Sequence, residues 1–391
     1  MNFKRIAFIL TGLLITLIIT CAAPAVKKYT EEELKARHEE AMKYYSIGAE
    51  YFKQRNFDSA LENFQNALSY DSTFYDVYIA IGNTYREKRD AVSAEDYFRK
   101  AIKLSPSNSK GYEALGDLFV VMGRFDDAVA VYRDGIKVDP NFSELYLGLA
   151  EVYVRSGKDA EAEATYREAL QKFPEDLTVL KNWGDFLFKQ GRYQEAIDAY
   201  CPCILKYPEA IDIVKKRGDA YAELGKYKEA LADYQTVLSK KPDDWRVILD
   251  IGKIYLNQRN YTEARKQFKR AEELVPNDPL PKIYNADLLI RQGNFFQAEK
   301  DLKAIIATDA KLYVAYVLLG DLYKRQGEIA NKDKKLKEAY NYYKNASKQY
   351  QMVPIGDFYY RYAKNEIERC KVIMDKIKEE LWFQGIKIEE N

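Results

Sequence analysis

The chain has 391 residues, enough to bury a large core, and its charges nearly cancel at a formal +1. That balance excludes wholesale nucleic-acid binding, which needs a basic stripe that releases counterions. Sparse, scattered Gly and Pro exclude a disordered or collagen-like chain. Four dispersed cysteines (Cys21, Cys201, Cys203, Cys370) exclude a disulfide scaffold. The single histidine, His38, excludes zinc sites built on histidines and any Ser-His-Asp triad that it does not serve.

The chain opens MNFKRIAFILTGLLITLIITCAAPAV. Lys4 and Arg5 precede an apolar stretch from Ile6 to Thr20, and small residues follow, which is the pattern of a secretory signal. Cys21 stands directly after Leu17-Ile18-Ile19-Thr20 and resembles the acylated cysteine of bacterial lipoprotein signals, although Thr20 replaces the usual Gly, Ala or Ser. The resemblance implies a signal peptide over 1–20 and a membrane tether through lipidated Cys21. Ala22 after that cysteine is compatible with outer-membrane sorting. Two other readings stay open: cleavage at Ala23-Pro24-Ala25, or an uncleaved span from Ile6 to Val26. All three put the rest of the chain outside the cytoplasm. Thr30-Glu31-Glu32-Glu33 is a capping box that predicts a leading helix, so 21–40 reads as tether and helix start. His38 in that helix is expected to be a solvated surface residue.

From Ala41 the chain repeats itself every 34 residues. With Ala41 as position 1, position 8 is Gly48, Gly82, Gly116, Ala150, Gly184, Gly218, Gly252, Ala286 and Gly320. Position 20 is alanine from Ala60 to Ala298, position 24 is aromatic from Phe64 to Phe268, and position 32 is proline from Pro106 to Pro276. Each unit carries two helical apolar patterns and one turn. Small residues at 8 and 20 let the two helices approach closely, aromatics at 11 and 24 fill the space between, and proline ends the second helix. No unit buries its apolar face alone, so stacking is required.

These columns resemble the tetratricopeptide repeat family. The resemblance implies an all-α, right-handed superhelical solenoid of about nine helix-turn-helix repeats over 41–353. In the ninth repeat Ala339, Tyr343 and Ala346 arrive seven residues late, which predicts an enlarged lysine-rich loop near 328–335. The remainder, 354–391, reads as a capping helix and tail. Asp357 is its expected N-cap, and Phe358, Tyr362, Ile367, Cys370, Met374, Ile377 and Leu381 form its apolar stripe. Pro202, late in a second helix, is expected to kink that helix or end it early.

Chemistry is sparse. No phosphate loop, HExxH or nucleophile elbow appears, so no enzyme activity, cofactor, metal or small-molecule substrate is expected. Cys201-Pro202-Cys203 is the one arrangement suggesting thiol or soft-metal handling, although Cys203 falls at position 27, where sister repeats carry small residues such as Ala67, Ala101 and Ala169. Family resemblance puts first-helix positions 2, 5, 9 and 12 on a concave wall, and their spacing keeps them on one face. The expected peptide-binding groove is then Tyr45, Ile79, Asn83, Asp117, Leu147, Glu151, Lys181, Asp185, Phe188, Lys215, Asp219, Leu249, Ile283 and Asp287. Its apolar sites suit a protein or peptide partner, and its acidic row at position 9 suits a basic one. Lys181 with Asp185, and Lys215 with Asp219, also sit at pairing distance on their own helices. Ile79, standing where a lysine would precede Asn83, breaks the carboxylate clamp of some family members. The expected function is a membrane-tethered interaction scaffold of the bacterial envelope, in outer-membrane, pilus or secretion assembly, with a self-assembling structural subunit as the alternative.

Overall fold

The computed structural model describes residues 29–386. The signal segment 1–20, Cys21, the Ala23-Pro24-Ala25 site and the Ile6–Val26 span lie outside the described residues. Every element of the described residues is an α-helix, and none of these helices is long and apolar enough to cross a membrane. The chain divides into two compact units, Met1–Pro174 and Glu175–Asn391.

The first unit holds repeats one to four. Their helix pairs are Glu31–Lys53 with Phe57–Tyr70, Tyr75–Glu87 with Ala91–Leu104, Ser109–Val121 with Phe125–Val138, and Ser143–Arg155 with Asp159–Lys172. The capping box forms: Glu33 N–H donates to Thr30 Oγ1 at 3.2 Å, and Thr30 N–H donates to Glu33 Oε2 at 2.8 Å. The leading helix runs into repeat one without a break. His38 does more than meet solvent. Its Nδ1 lies 2.6 Å from Asp71 Oδ2 and its ring packs at a tilt against Phe74, so it ties the leading helix to the first inter-repeat turn. Tyrosines at position 4 hold the later turns, because Tyr78, Tyr112 and Tyr146 donate to the carbonyls of Ser72, Pro106 and Pro140 at 3.0, 3.1 and 3.3 Å.

The second unit holds repeats five to nine and a final helix. The pairs are Leu177–Lys189 with Tyr193–Lys206, Ile211–Glu223 with Tyr227–Lys240, Trp245–Asn257 with Tyr261–Leu274, Leu280–Arg291 with Phe295–Thr308, and Tyr313–Lys332 with Leu336–Tyr350. Tyr360–Phe383 follows.

In seven of the nine repeats the two helices of the hairpin meet where a glycine faces an aromatic ring; repeats four and eight carry Ala150 and Ala286 there. A Cβ on Gly48, Gly116, Gly184 or Gly252 would lie 2.7, 2.6, 2.5 or 2.4 Å from the ring of Phe64, Tyr132, Tyr200 or Phe268, too close for any side chain. Alanine at position 20, from Ala60 to Ala298, is fully buried beside this contact. The turn between the helices needs one left-handed residue at position 15. Glycine supplies it in several repeats, as at Gly225 (φ +73°), but Arg55, Arg89 and Arg259 adopt φ of 60, 62 and 59° in others.

Three expectations need correction. The seven extra residues of repeat nine do not enlarge the loop. They lengthen its first helix, which runs unbroken to Lys332, and the left-handed turn residue becomes Lys334 (φ 58°). Seven residues are close to two helical turns, so the inward face keeps its register. Gly327 now faces Tyr343 and Gly320 faces Tyr350. Second, Pro202 does not shorten its helix, which keeps 14 residues, as do the second helices of repeats six to eight. Buried Ala196, Tyr200 and Cys203 pack that helix in place, and tertiary packing outweighs the one hydrogen bond that proline removes. Third, the last helix starts at Tyr360, not at Asp357. Asp357 instead accepts the Tyr359 N–H in the preceding turn, at 2.8 Å. Its buried stripe is Ala363, Glu366, Cys370, Ile377 and Leu381; Phe358 and Tyr362 are exposed.

Candidate functional site

The first helix of each repeat turns positions 5, 9 and 12 to one face. In the first unit Tyr45, Ile79, Asn83, Asp117, Leu147 and Glu151 are all half-buried on that wall. In the second unit the same holds for Lys181, Asp185, Phe188, Lys215, Asp219 and Asp287. Leu249 and Ile283 depart from expectation: each is only 3 % exposed. Leu249 belongs to a core cluster with Leu256, Phe268 and Leu288, against which Tyr284 packs. Ile283 belongs to the core of the last repeats, against which Tyr359 packs. Tyr45 is also largely committed, its ring tilted against Phe64 and Phe74.

The acidic row is not a bare anionic surface. Its carboxylates accept the phenol hydrogens of the position-24 tyrosines in their own repeats: Tyr132 to Asp117 at 2.5 Å, Tyr200 to Asp185 at 2.7 Å and Tyr234 to Asp219 at 2.8 Å. Burial first, and the adjoining carboxylate second, hold these phenols protonated far above the ordinary tyrosine range. Cations complete the neutralisation. Lys216 pairs with Asp185, and Lys215 Nζ lies 3.0 Å from both Asp219 oxygens and 3.3 Å from Asp250. Arg155 pairs with Glu151 at 2.7 Å and Arg291 with Asp287 at 3.1 Å. Burial pulls the Lys215 ammonium pKa down; Asp250 and Asp219 more than offset it and leave it raised.

This pairing has a signal in the sequence. Repeats three to six carry Tyr132, Tyr166, Tyr200 and Tyr234 at position 24, with Asp117, Glu151, Asp185 and Asp219 at position 9. Repeats one, two and seven carry Phe64, Phe98 and Phe268, with Ala49, Asn83 and Lys253. In these seven repeats the carboxylate appears where there is a hydroxyl to receive; repeat eight departs, with Asp287 opposite Leu302 and paired with Arg291 instead. Reading position 9 as a column of its own hides the rule.

Glu113, at position 5 of repeat three, is a wall acid with a strongly raised pKa. Burial first, then Asp117 and Glu144, push its carboxyl up to about 7. Folding therefore holds a proton that an unfolded glutamic acid releases near 4.5. Stability must fall as pH rises from that value to about 7, and stay lower above it. Glu113→Gln is expected to stabilise the first unit by about 1–3 kcal/mol at pH 8 and by almost nothing at pH 4, read by calorimetry at the two pH values. An equal gain at both would contradict this assignment.

Two clefts open on the inner wall of the second unit. One, of about 430 Å³, is polar and spans repeats five to seven; it includes Phe188, Lys215, Asp219, Tyr234, Asp250 and Lys253. The other, of about 650 Å³, lies between the first helices of repeats eight and nine and the start of the last helix. The cysteine pair is built for packing. Cys203 is fully buried, burial raises its thiol pKa, and its Sγ faces the Ala199 and Leu177 carbonyls. Cys201 Sγ instead accepts from Arg217 Nη1 at 3.6 Å. Two residues apart on a helix, the sulfurs point in different directions and do not converge on one ion. No acidic, His or Cys cluster suited to a metal occurs among the described residues.

The arrangement defines an all-helical repeat protein whose conserved-length hairpins display one ridged face, with charges already internally paired. The tetratricopeptide repeat model matches residues 45–109, 113–177, 166–201 and 215–279, more than half of the chain, and the chain belongs to the tetratricopeptide repeat family. That is the fold of a protein-interaction scaffold. Among solved structures, a tetratricopeptide repeat protein from Parabacteroides merdae is 21% identical, with 76% of this chain and 98% of that one covered and a TM-score of 0.49. PilF of Pseudomonas aeruginosa is 20% identical over 52% of this chain and 92% of that one, TM-score 0.43. YrrB, described as having an unusual peptide-binding site, is 21% identical over 47% and 95%, TM-score 0.41. No curated protein gives a significant match.

Proposed function

We propose that the protein is a non-enzymatic scaffold of the bacterial cell envelope, tethered to the membrane through a lipidated Cys21, which takes a protein or peptide segment on its inner walls. The observation that carries the reading is the wall of repeats five to seven. There a half-buried aromatic, Phe188, borders a cleft whose Lys215, Asp219, Asp250 and Lys253 are satisfied among themselves. Such a surface offers apolar contact and alternating charge while leaving no activated nucleophile or base, which suits recognition of a chain rather than turnover. The paired carboxylates favour a partner that exchanges ion pairs with the wall over one that is simply basic. The N-terminal sequence up to Cys21 supports the tether, and more than one acyl chain is needed to hold it firmly.

The test is site-specific photo-crosslinking in intact cells. A crosslinking amino acid in place of Phe188 or Ala222 is expected to capture a discrete partner. The same residue on the exposed side of a second helix, in place of Glu195, is expected not to. Equal capture from both faces would defeat the reading. Separately, Cys21→Ser should release the protein from membranes; undiminished attachment would favour the uncleaved span.

A further inference from the structure

The final helix, Tyr360–Phe383, is held in two ways along its length. Its later turns are core, with Cys370, Ile377 and Leu381 buried. Its start, together with the turn before it, lies on the inner wall of repeats eight and nine. Tyr362 Oη donates to Asp321 at 2.7 Å, and Lys324 Nζ donates to Glu366 at 2.9 Å. Asp321 and Lys324 stand at positions 9 and 12 of repeat nine, one turn apart. Tyr362 and Glu366 are likewise one turn apart, so two polar registers match across the contact. Glu366 is 1 % exposed; its Oε2 meets Lys324 and its Oε1 accepts from Arg369 of its own helix at 2.5 Å.

The apolar fit is incomplete. The cleft of about 650 Å³ remains between Tyr359 and Tyr362 on one side and Ile283, Val317 and Leu318 on the other. Phe358, at its rim, is 89 % exposed, and Ile355 is 84 % exposed. The cause lies in the backbone. Residues 355–359 are a run of turns and a bend, and helix begins only at Tyr360, so the residue one turn before Tyr362 is not presented from a helix. A helix that is not tethered through Pro354 has no such break and can carry an apolar side chain into that space.

We infer that segment 357–366 is a ligand in cis, occupying a stretch of wall made for an amphipathic partner helix that presents a large apolar residue, then a tyrosine, then a glutamate at successive turns. Asp321 and Lys324 read the last two; the cleft takes the first. This rests on the inner wall being the partner-binding face. Occupancy in cis lowers the apparent affinity by the fraction of molecules in which the segment is displaced, so binding is gated by its hold.

The probe is a fluorescent helical peptide based on residues 354–373, with Leu at the Phe358 position and Ala at the Pro354 and Gly356 positions. It is titrated against the full chain by anisotropy. The full chain with Tyr362→Phe and Glu366→Gln, at unchanged helix content and unfolding midpoint, is expected to bind about tenfold or more tighter than the unaltered chain. Lys324→Glu should abolish binding, and a probe with Lys in place of its Glu should restore it. As an independent reading, amides of Tyr362–Glu366 should exchange hydrogen about 100-fold faster than those of Cys370–Leu381, through local opening of the segment. No tightening, no loss with Lys324→Glu, or equal protection along the helix would overturn the proposal. So would self-association of the double variant by light scattering without probe binding, which would make a second copy the occupant. If Phe188 crosslinks persist while the peptide fails, only the cis-ligand reading falls; if both fail, the wall is not the binding face.

Discussion

Replacing Phe268 with alanine is expected to lower the stability of the second unit by about 3–5 kcal/mol. Phe268 is 1 % exposed and its ring presses on the backbone of Gly252, where a Cβ would lie 2.4 Å away. It shares a cluster with Ile248, Leu249, Leu256, Ala264, Ala271 and Leu288. Truncation removes the ring and leaves a cavity that two regular helices cannot close without losing their register. All three tryptophans, Trp183, Trp245 and Trp382, lie in the second unit, so fluorescence during urea unfolding reads that unit alone. Because each repeat leans chiefly on its neighbours, the first unit, followed by hydrogen exchange, should be unaffected. A loss under about 1 kcal/mol would mean that position 24 is not the keystone of the hairpin.

Arg217→Met should cost a similar amount by a different route. Asp233 is 5 % exposed, and Arg217 grips it with Nε at 2.9 Å and Nη2 at 2.7 Å, joining the two helices of repeat six. Its Nη1 reaches Cys201 of repeat five. The hydrogen bonds to Asp233 are the main reason the guanidinium pKa is raised. Removing the arginine leaves a buried carboxylate with no cation, which typically costs about 3–5 kcal/mol. Arg217→Met combined with Asp233→Leu should recover to within about 1 kcal/mol of the unaltered chain, because the penalty comes from the stranded charge and not from the lost pair itself. Equal losses in the single and double variants, by the same fluorescence titration, would show that the pair stabilises in its own right.

What the sequence made legible was whatever is local and repeated. The glycine, alanine, aromatic and proline columns each restate one constraint in unit after unit, and the hairpins follow from them. Single residues facing several neighbours were harder. Arg55, Arg89 and Arg259 take the left-handed turn that Gly225 announces openly, and nothing in an arginine marks it. The seven-residue insertion of repeat nine looks like a loop when lateness alone is counted; seven residues are also two helical turns, and Gly327 facing Tyr343 marks that alternative. The wall acids were visible, but their tyrosine partners lie fifteen residues away on the opposing helix, and only the joint pattern of two columns exposes them. Leu249 and Ile283 sit at wall positions by spacing, yet both are buried in core clusters against which Tyr284 and Tyr359 pack, which is tertiary information.

The most direct test of the account is a double-mutant cycle on Gly184 and Tyr200, whose ring lies 2.5 Å from where a Cβ would stand. Repeat eight carries the alternative pair, Ala286 with Leu302, whereas repeat four holds buried Ala150 with Tyr166, so the test is made on a repeat whose close contact is with glycine. In the unaltered chain, Gly184→Ala should destabilise by about 1–3 kcal/mol, because overpacking exceeds the roughly 1 kcal/mol that alanine gains in helix propensity. In the Tyr200→Leu background the same substitution should stabilise. That change of sign is the result the glycine-and-ring lock predicts; a Gly184→Ala effect that is the same in both backgrounds would contradict it.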